Sequence, residues 1–399
     1  MGSLFWTLMF VLLACEVYSV LPVEQKSAEK PVIPYRTGIL HVHSQFSEHG
    51  SNLREVARVA KQAGIDFVVV TDHASSQARA AHLETSYDGV DVFVEMEAST
   101  PGGECLTFYS QTPSRDLPDD DVNRLAWEHY LGKDVPGLFN IVAHPSDLRK
   151  PWNRLDRFAE GFELLNFNSA RSRELADTTL DFLLTLGVAP FNNFLAALRF
   201  FQIYPKDFLA WDAMNSVSPG HFAVLGHDNS DQLDLGFGPA IPWPAPLATF
   251  RLASNVIFVP DPLPADFEQR KAAIYHALSE GRSAIVFQAI YPFAGNDARV
   301  ECTAGGQAQT YRPGDRFTAA AGCELVVDTP HSFPFRRVVR VLKDGEKIAE
   351  KMGTDPEVRV PVVGPGVYRA EVWLKKPSLL HVMLGHEVPY VIYNPIYAK

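Results

Sequence analysis

No stretch of this sequence concentrates lysine or arginine, and the formal net charge is −11. Binding to nucleic acid needs a basic patch that displaces counterions from phosphate, so that class of partner is excluded. Cysteine is scarce, with four residues in 399, too few for a fold built from disulfides. Cys15 sits near the N-terminus and Cys105 in an apolar run. Cys302 and Cys323 share the C-terminal region, and an oxidising compartment would allow them to pair. Repeats at solenoid spacing and low-complexity tracts are also lacking. Neither a Ser-His-Asp order nor an activated cysteine is evident, which turns attention away from a side-chain nucleophile.

Apolar sequence long enough to span a bilayer comfortably is missing as well. "LFWTLMFVLLAC", Leu4 to Cys15, is too short for that and has the length of a signal-peptide h-region, although no Lys or Arg precedes it. "LLAC" also resembles a bacterial lipobox in which Cys15 would carry lipid. Cleavage after a small residue such as Ser19 is the alternative, and a retained anchor is a third. The expectation is a leader over residues 1–19, a polar linker over 20–35, and a mature protein outside the cytoplasm: secreted, periplasmic or lipid-anchored. Contact with a membrane is expected only if Cys15 is lipidated.

What is present is ample core material. The chain is 46% hydrophobic and 11% aromatic, and its length exceeds what one core usually supports, so two domains are expected. Residues 38–43 read as a strand. "NLREVARVAKQAG" has helical spacing at Leu53, Val56, Ala57, Ala60 and Ala63, with Gly64 placed to stop it. "IDFVVVTDH" is a continuous β-branched run, as in a strand buried on both faces. Strand, helix and strand make a βαβ unit, and the alternation continues to about residue 295. This predicts an α/β barrel or a related parallel sheet over 36–295. From 296 to 399 short alternating runs punctuated by Gly, Pro and Asp, with "KDGE" as a hairpin turn, predict an antiparallel β-sandwich-like domain.

The polar residues fall at the strand ends. They are His41 and His43, Asp72 and His73, Glu95 and Glu97, His144, and His227 with Asp228. In a parallel barrel the C-terminal strand ends share one mouth, where active sites lie. Imidazole and carboxylate are the ligands of catalytic zinc, manganese or iron. Alternation along a strand sends His41 and His43 the same way, as a chelating pair. His82, His129, His221, His276, His331, His381 and His386 join no such series and are read as structural.

"HVHSQFSEHG", "AGIDFVVVTDH", "EMEAS", "AHPSD" and "GHDNSD", in that order, resemble the motifs of the PHP (polymerase and histidinol phosphatase) superfamily, and most of all its CehA/McbA-like metal-dependent hydrolase branch. "GVYRAEVW" and "PYVIYNPIY" are similar to the end of that branch's appended β domain. The resemblance implies a distorted (β/α)7 TIM-like barrel with up to three divalent ions at its mouth. It implies one ion on His41, His43, Glu97 and Asp228, and a second that shares Glu97 and takes His144. A third would use His49 and His73, and Asp72 would support the neighbouring ligands from behind. The sequence departs from the pattern twice. "GHDNS" puts Ser230 where the family has histidine, which weakens the third ion unless His227 or Asp231 substitutes. "STPGGECLTF" offers Glu104 where a histidine is usual, which favours harder metals.

The resemblance implies a hydrolase with a metal-activated water as nucleophile. Its class would be a phosphoesterase or a carbamate, ester or amide hydrolase acting on a small molecule with Mn, Zn or Fe, two ions and with less support a third. Arg149 and Arg171 are the candidates to hold a substrate phosphate. A degenerate barrel that binds metal or ligand without turnover is the competing expectation, motivated by Ser230 and Glu104. A binding role of the β domain rests on architecture alone. An amidohydrolase-type barrel also begins with His-x-His, but it uses a bridging lysine, and no strand-end lysine is placed for that.

Overall fold

The computed structural model describes residue 7 and residues 30–47, 50–73, 77–100, 103–109, 137–147, 152, 159–170, 203–229, 246–304, 307–333, 335–374 and 389–399. The first half contains β1 (Tyr35–Val42), α1 (Leu53–Gln62), β2 (Phe67–His73), α2 (Gln77–Ala80), β3 (Thr85–Tyr87), β4 (Val90–Thr100), β5 (Gly103–Phe108), β6 (Phe139–Val142) and β7 (Gly161–Asn166). There follow α3 (Pro205–Val217), β8 (Phe222–Asn229), α4 (Pro246–Leu252), β9 (Ser254–Phe258), α5 (Phe267–Ser279) and β10 (Ser283–Val286).

α1 starts where Asn52 accepts the backbone N–H of Glu55 at 3.0 Å, buries Leu53, Val56, Ala57 and Ala60, and is followed by Gly64 at φ +74°. β1, β2, β4, β5, β6, β7 and β8 pair in that order, and β8 pairs back with β1, which closes a barrel. All neighbours are parallel except at β5, which runs antiparallel to both β4 and β6. The link from Thr100 to Gly103 is far too short for the crossover that a parallel pair requires.

Alternation sorts the walls. Leu40, Phe67, Val69, Phe93, Leu106, Ile141 and Val224 share one core with residues of α5. Ile39, Val42, Val68, Val70, Val92 and Val94 pack with α1 in another. Aromatic rings and α5 thus fill one end of the barrel and leave the C-terminal ends of the parallel strands for polar side chains.

The C-terminal region is β11 (Asp297–Ala304), β12 (Gln307–Tyr311), β13 (Arg316–Phe317), β14 (Cys323–Asp328), β15 (Arg337–Lys343), β16 (Glu346–Gly353), β17 (Glu357–Pro361), β18 (Gly366–Leu374), β19 (Pro389–Tyr393) and β20 (Ile396–Ala398). The β15–β16 hairpin turns at Asp344 and Gly345, both at positive φ, as a tight two-residue turn demands. One sheet, β12-β11-β14-β17, packs on the other through Val300, Leu325, Val327, Tyr368, Val372 and Tyr390. That other sheet does not stand apart from the barrel. β19 pairs with β10, β10 with β9, and β9 with the first half of β1, so one hydrogen-bonded ladder runs through both.

This junction has a consequence for closure. β9 occupies the edge of β1 up to Gly38, and β8 takes it over only from Leu40. The β8 backbone in the gap is met by side-chain amides. Asn255 accepts from Leu225 N–H and donates to Leu225 O, both at 2.8 Å. Asn394 accepts from Ala223 N–H at 2.6 Å and donates to Ala223 O at 3.0 Å.

Cys302 and Cys323 lie opposite each other in the β11–β14 ladder and form a disulfide across a sequence separation of 21. Closing a loop of that size restricts the unfolded chain by about 3 kcal/mol. The double variant C302A/C323A is expected to unfold at correspondingly lower denaturant with an unchanged barrel spectrum. An unchanged midpoint in urea would remove this role.

Candidate metal centre

β4 delivers the central carboxylate. Alternation from inward Phe93 carries Glu95 and then Glu97 to the inner face, and Glu97 is 1% exposed at the mouth. β2 likewise brings His73 inward, and its Nδ1 is 3.0 Å from Glu97 Oε2. His73 is the open side of the cluster: its side chain is 40% exposed, against 10% or less for His41, His43, Glu97, Glu104, His144 and Asp228.

β1 works differently from simple alternation. Leu40 faces the inner core and Val42 the outer one, so an unbroken strand would turn His41 outward. His41 instead has φ +61°, and the β1 ladders slip around it on both sides. This bulge turns His41 inward and leaves His43, just beyond the strand, facing the same point. His144 (φ +27°) and Asp228 (φ +47°) also adopt left-handed backbone. Such conformations cost of order 1–3 kcal/mol each outside glycine and cluster at functional sites.

Four donor atoms then converge. His41 Nε2 lies 3.3 Å from Glu97 Oε2 and 3.6 Å from Asp228 Oδ1. His43 Nε2 lies 3.4 and 3.3 Å from the same two oxygens. These four separations are close to the about 3.4 Å expected between neighbouring ligands bonded to one ion at about 2.1 Å. His41 Nε2, His43 Nε2 and Glu97 Oε2 are buried without an aligned hydrogen-bond partner. Such atoms are costly unless something else satisfies them. The residues present therefore fit a divalent cation. The other Glu97 oxygen, Oε1, is 2.8 Å from His144 Nε2, which is 3.3 Å from Glu104 Oε2. Glu97 is thus placed to bridge two positions. Among the described residues, three overlapping groups each have ligand atoms within 4.8 Å of one another: His41, His43, Glu97; His41, His144, Asp228; and His73, Glu97, Glu104.

Electrostatics agree with this crowding. Burial would lower the pKa of His41, but the carboxylates of Glu163, Glu97 and Asp228 overcome it and raise it well above the usual histidine range. For His144 burial is likewise outweighed, here by hydrogen bonds to Glu104 and Glu97, and its pKa is also raised well above that range. Burial opposes ionisation of Glu97 and Asp228, yet the surrounding imidazoles, His41 foremost, hold both pKa values down. Without a cation, protons on His41 and His144 would balance the acids. A divalent cation would replace them.

The remaining expected residues divide. Asp72 points away from the mouth and anchors the turn after His43. It accepts Ser44 N–H and Ser47 Oγ–H, both at 2.7 Å, and Ser44 Oγ–H at 2.6 Å. Ser47 Oγ in turn lies 3.4 Å from His43 Nδ1, so Asp72 steadies His43 through it. Glu104 reaches the mouth because β5 is antiparallel and its first residues, not its last, lie there, opposite Ser99. His227 is ruled out as a substitute ligand. Between Gly226 and Asp228 it faces outward, packs against Phe250 and meets Ala253 O through Nε2 at 3.2 Å. His49, Arg149, Arg171, Ser230 and Asp231 lie outside the described residues, as does Cys15.

Two further buried acids lie beneath the cluster, Glu95, already placed at a strand end by the sequence, and Glu163, which the strand-end series does not contain. Glu95, one step below Glu97, pairs with Arg79 at 2.8 Å and Lys271 at 3.0 Å. Glu163 of β7 accepts from His41 Nδ1 at 2.7 Å. The available signal was a glutamate inside an otherwise apolar strand, "FELL".

No family model and no curated protein matches the chain. Among solved structures it is similar to a two-domain protein from Bacteroides vulgatus that contains a predicted PHP-like metal-dependent phosphoesterase. The identity is 14%, the match covers 88% of this chain and 95% of that one, and the TM-score is 0.39.

Proposed function

We propose that this chain is a metal-dependent hydrolase of the polymerase and histidinol phosphatase type, acting on a phosphoester or a carbamate, ester or amide of a small molecule outside the cytoplasm. The observation that carries the reading is the convergence of His41, His43, Glu97 and Asp228 at the spacing of ligands around one ion, with His144 and Glu104 on the far oxygen of Glu97. A divalent cation bound there supplies a Lewis acid and a source of nucleophilic water near neutral pH. The chain's residues do the rest. Glu97 would hold both positions, with Oε2 toward His41 and His43 and Oε1 toward His144. Asp72 and Ser47 keep the ring of His43 turned inward. Among the described residues of the cluster, His73 is the one exposed to solvent and the others are buried. The Cys302–Cys323 disulfide supports an oxidising compartment.

Elemental analysis of the purified protein tests the reading, with p-nitrophenyl phosphate, bis-p-nitrophenyl phosphate and a p-nitrophenyl ester as substrates. Two equivalents of Mn, Zn or Fe are expected. Hydrolysis of one of these probes should vanish on chelation and return with added Mn²⁺ or Zn²⁺. Protein that takes up no metal even on reconstitution would end the proposal. A metal-loaded protein inert toward every probe would favour binding without turnover.

A further inference from the structure

We propose that Glu163 is the positioning residue of this centre: one carboxylate orients His41 and pins the backbone of His144, and so sets how tightly a divalent cation is held. The inference rests on the reading of the cluster as a metal centre and adds a residue that touches no ion position itself.

Both oxygens of Glu163 are committed. Oε1 is 2.7 Å from His41 Nδ1. A carboxylate with no proton can only accept, so Nδ1 carries the hydrogen and the other nitrogen, Nε2, is the one turned to Glu97 and Asp228. Oε2 accepts the backbone N–H of His144 at 2.6 Å and Asn166 Nδ2–H at 2.9 Å. His41 and His144 come from different strands, and both have left-handed φ. Neither strand's regular ladder fixes such residues, so an outside anchor has to. Glu163 is the group seen to bond both.

The surroundings are shaped for that carboxylate. Gly226 on β8 faces it, and a Cβ there would lie 1.8 Å from Oε1 and 3.0 Å from Oε2. No residue but glycine fits without pushing Glu163 aside. β7 also slips its register against β8 between Glu163 and Leu165. A buried carboxylate that only tied strands together would not need to address one imidazole nitrogen and one backbone amide of two ligand residues. Partners behind a metal-binding histidine typically contribute 10–100-fold in metal affinity.

The test uses the full chain. Zn²⁺ affinity is measured by calorimetry for wild type, E163Q, E163A and G226A, with the visible spectrum of the Co²⁺-loaded forms and thermal unfolding of the metal-free forms. E163A and G226A are expected to bind Zn²⁺ 10–100-fold more weakly and to show an altered Co²⁺ spectrum. E163Q keeps the volume and one acceptor oxygen and should fall between them and wild type, with an unfolding temperature close to wild type. It therefore keeps the test decisive if E163A fails to fold. The double variant E163A/G226A should lose no more than E163A alone, because both changes displace the same group. Affinity and Co²⁺ spectrum of E163Q and E163A matching wild type would overturn the role of Glu163 while leaving the metal centre intact. A wild type that binds neither Zn²⁺ nor Co²⁺ would instead overturn the metal reading, and this inference with it.

Discussion

Glu97→Gln is expected to remove most of the bound metal and to lower hydrolysis by about three orders of magnitude, about 4 kcal/mol of transition-state stabilisation. The reason is geometric. Glu97 Oε2 lies within 3.4 Å of His41 Nε2, His43 Nε2 and His73 Nδ1, and Oε1 within 2.8 Å of His144 Nε2. No other acid in the cluster contacts so many of its imidazoles. A glutamine keeps the volume and can offer one oxygen, but not the charge or the second oxygen. Both positions should weaken together. Metal-to-chain ratios separate this from a local loss: a ratio that falls by one equivalent would show that Glu97 serves a single ion. A ratio equal to wild type would show that the ligands lie elsewhere.

The second large effect concerns the β domain. A chain ending at residue 295 is expected not to fold into a stable barrel. β19 supplies the outer neighbour of β10, and Asn394 satisfies Ala223 of β8 where β1 does not reach. Arg369 of β18 is buried against Asp212 and Glu371 and lies 4.5 Å from the centroid of the Trp211 ring. Truncation would expose Val256, Ala284 and Val286, which now pack in the C-terminal core. It would also leave buried strand groups unpaired at about 1–3 kcal/mol each. Together these approach the whole stability of an ordinary domain. Circular dichroism and urea unfolding of the fragment decide the matter. A cooperative transition in the fragment would show two independent folding units. The single change Asn394→Ala should already lower the urea midpoint of the full chain.

Much of this was legible in the sequence because it is periodic. Helix α1 follows from its apolar spacing and Gly64, and the inward placing of Glu97 and His73 from two-residue alternation along β4 and β2. The hairpin at Asp344-Gly345 follows from the turn it needs. Periodicity fails where the backbone leaves its regular state. The alternation argument puts His41 and His43 on one side, but Leu40 already faces inward, and it is the left-handed φ at His41 that brings the two rings together. The antiparallel course of β5 was encoded in a short Pro-Gly-Gly link, which sets direction through length alone.

By itself the sequence determined the kinds of residue available and the order in which strands present them: imidazole and carboxylate at the strand ends, alternating elements and then a β-rich tail. Local spacing carries that much, because each residue's facing within a strand or helix depends on its near neighbours. Only the tertiary structure decided that Glu97 meets His41 through one oxygen and His144 through the other, that Glu163 bonds His41 and the backbone of His144, that His227 turns away, and that Asn255 and Asn394 complete the barrel wall. Those facts depend on which distant strands become neighbours and in what register, and a chain read one stretch at a time contains no distance between residues 41, 97 and 163.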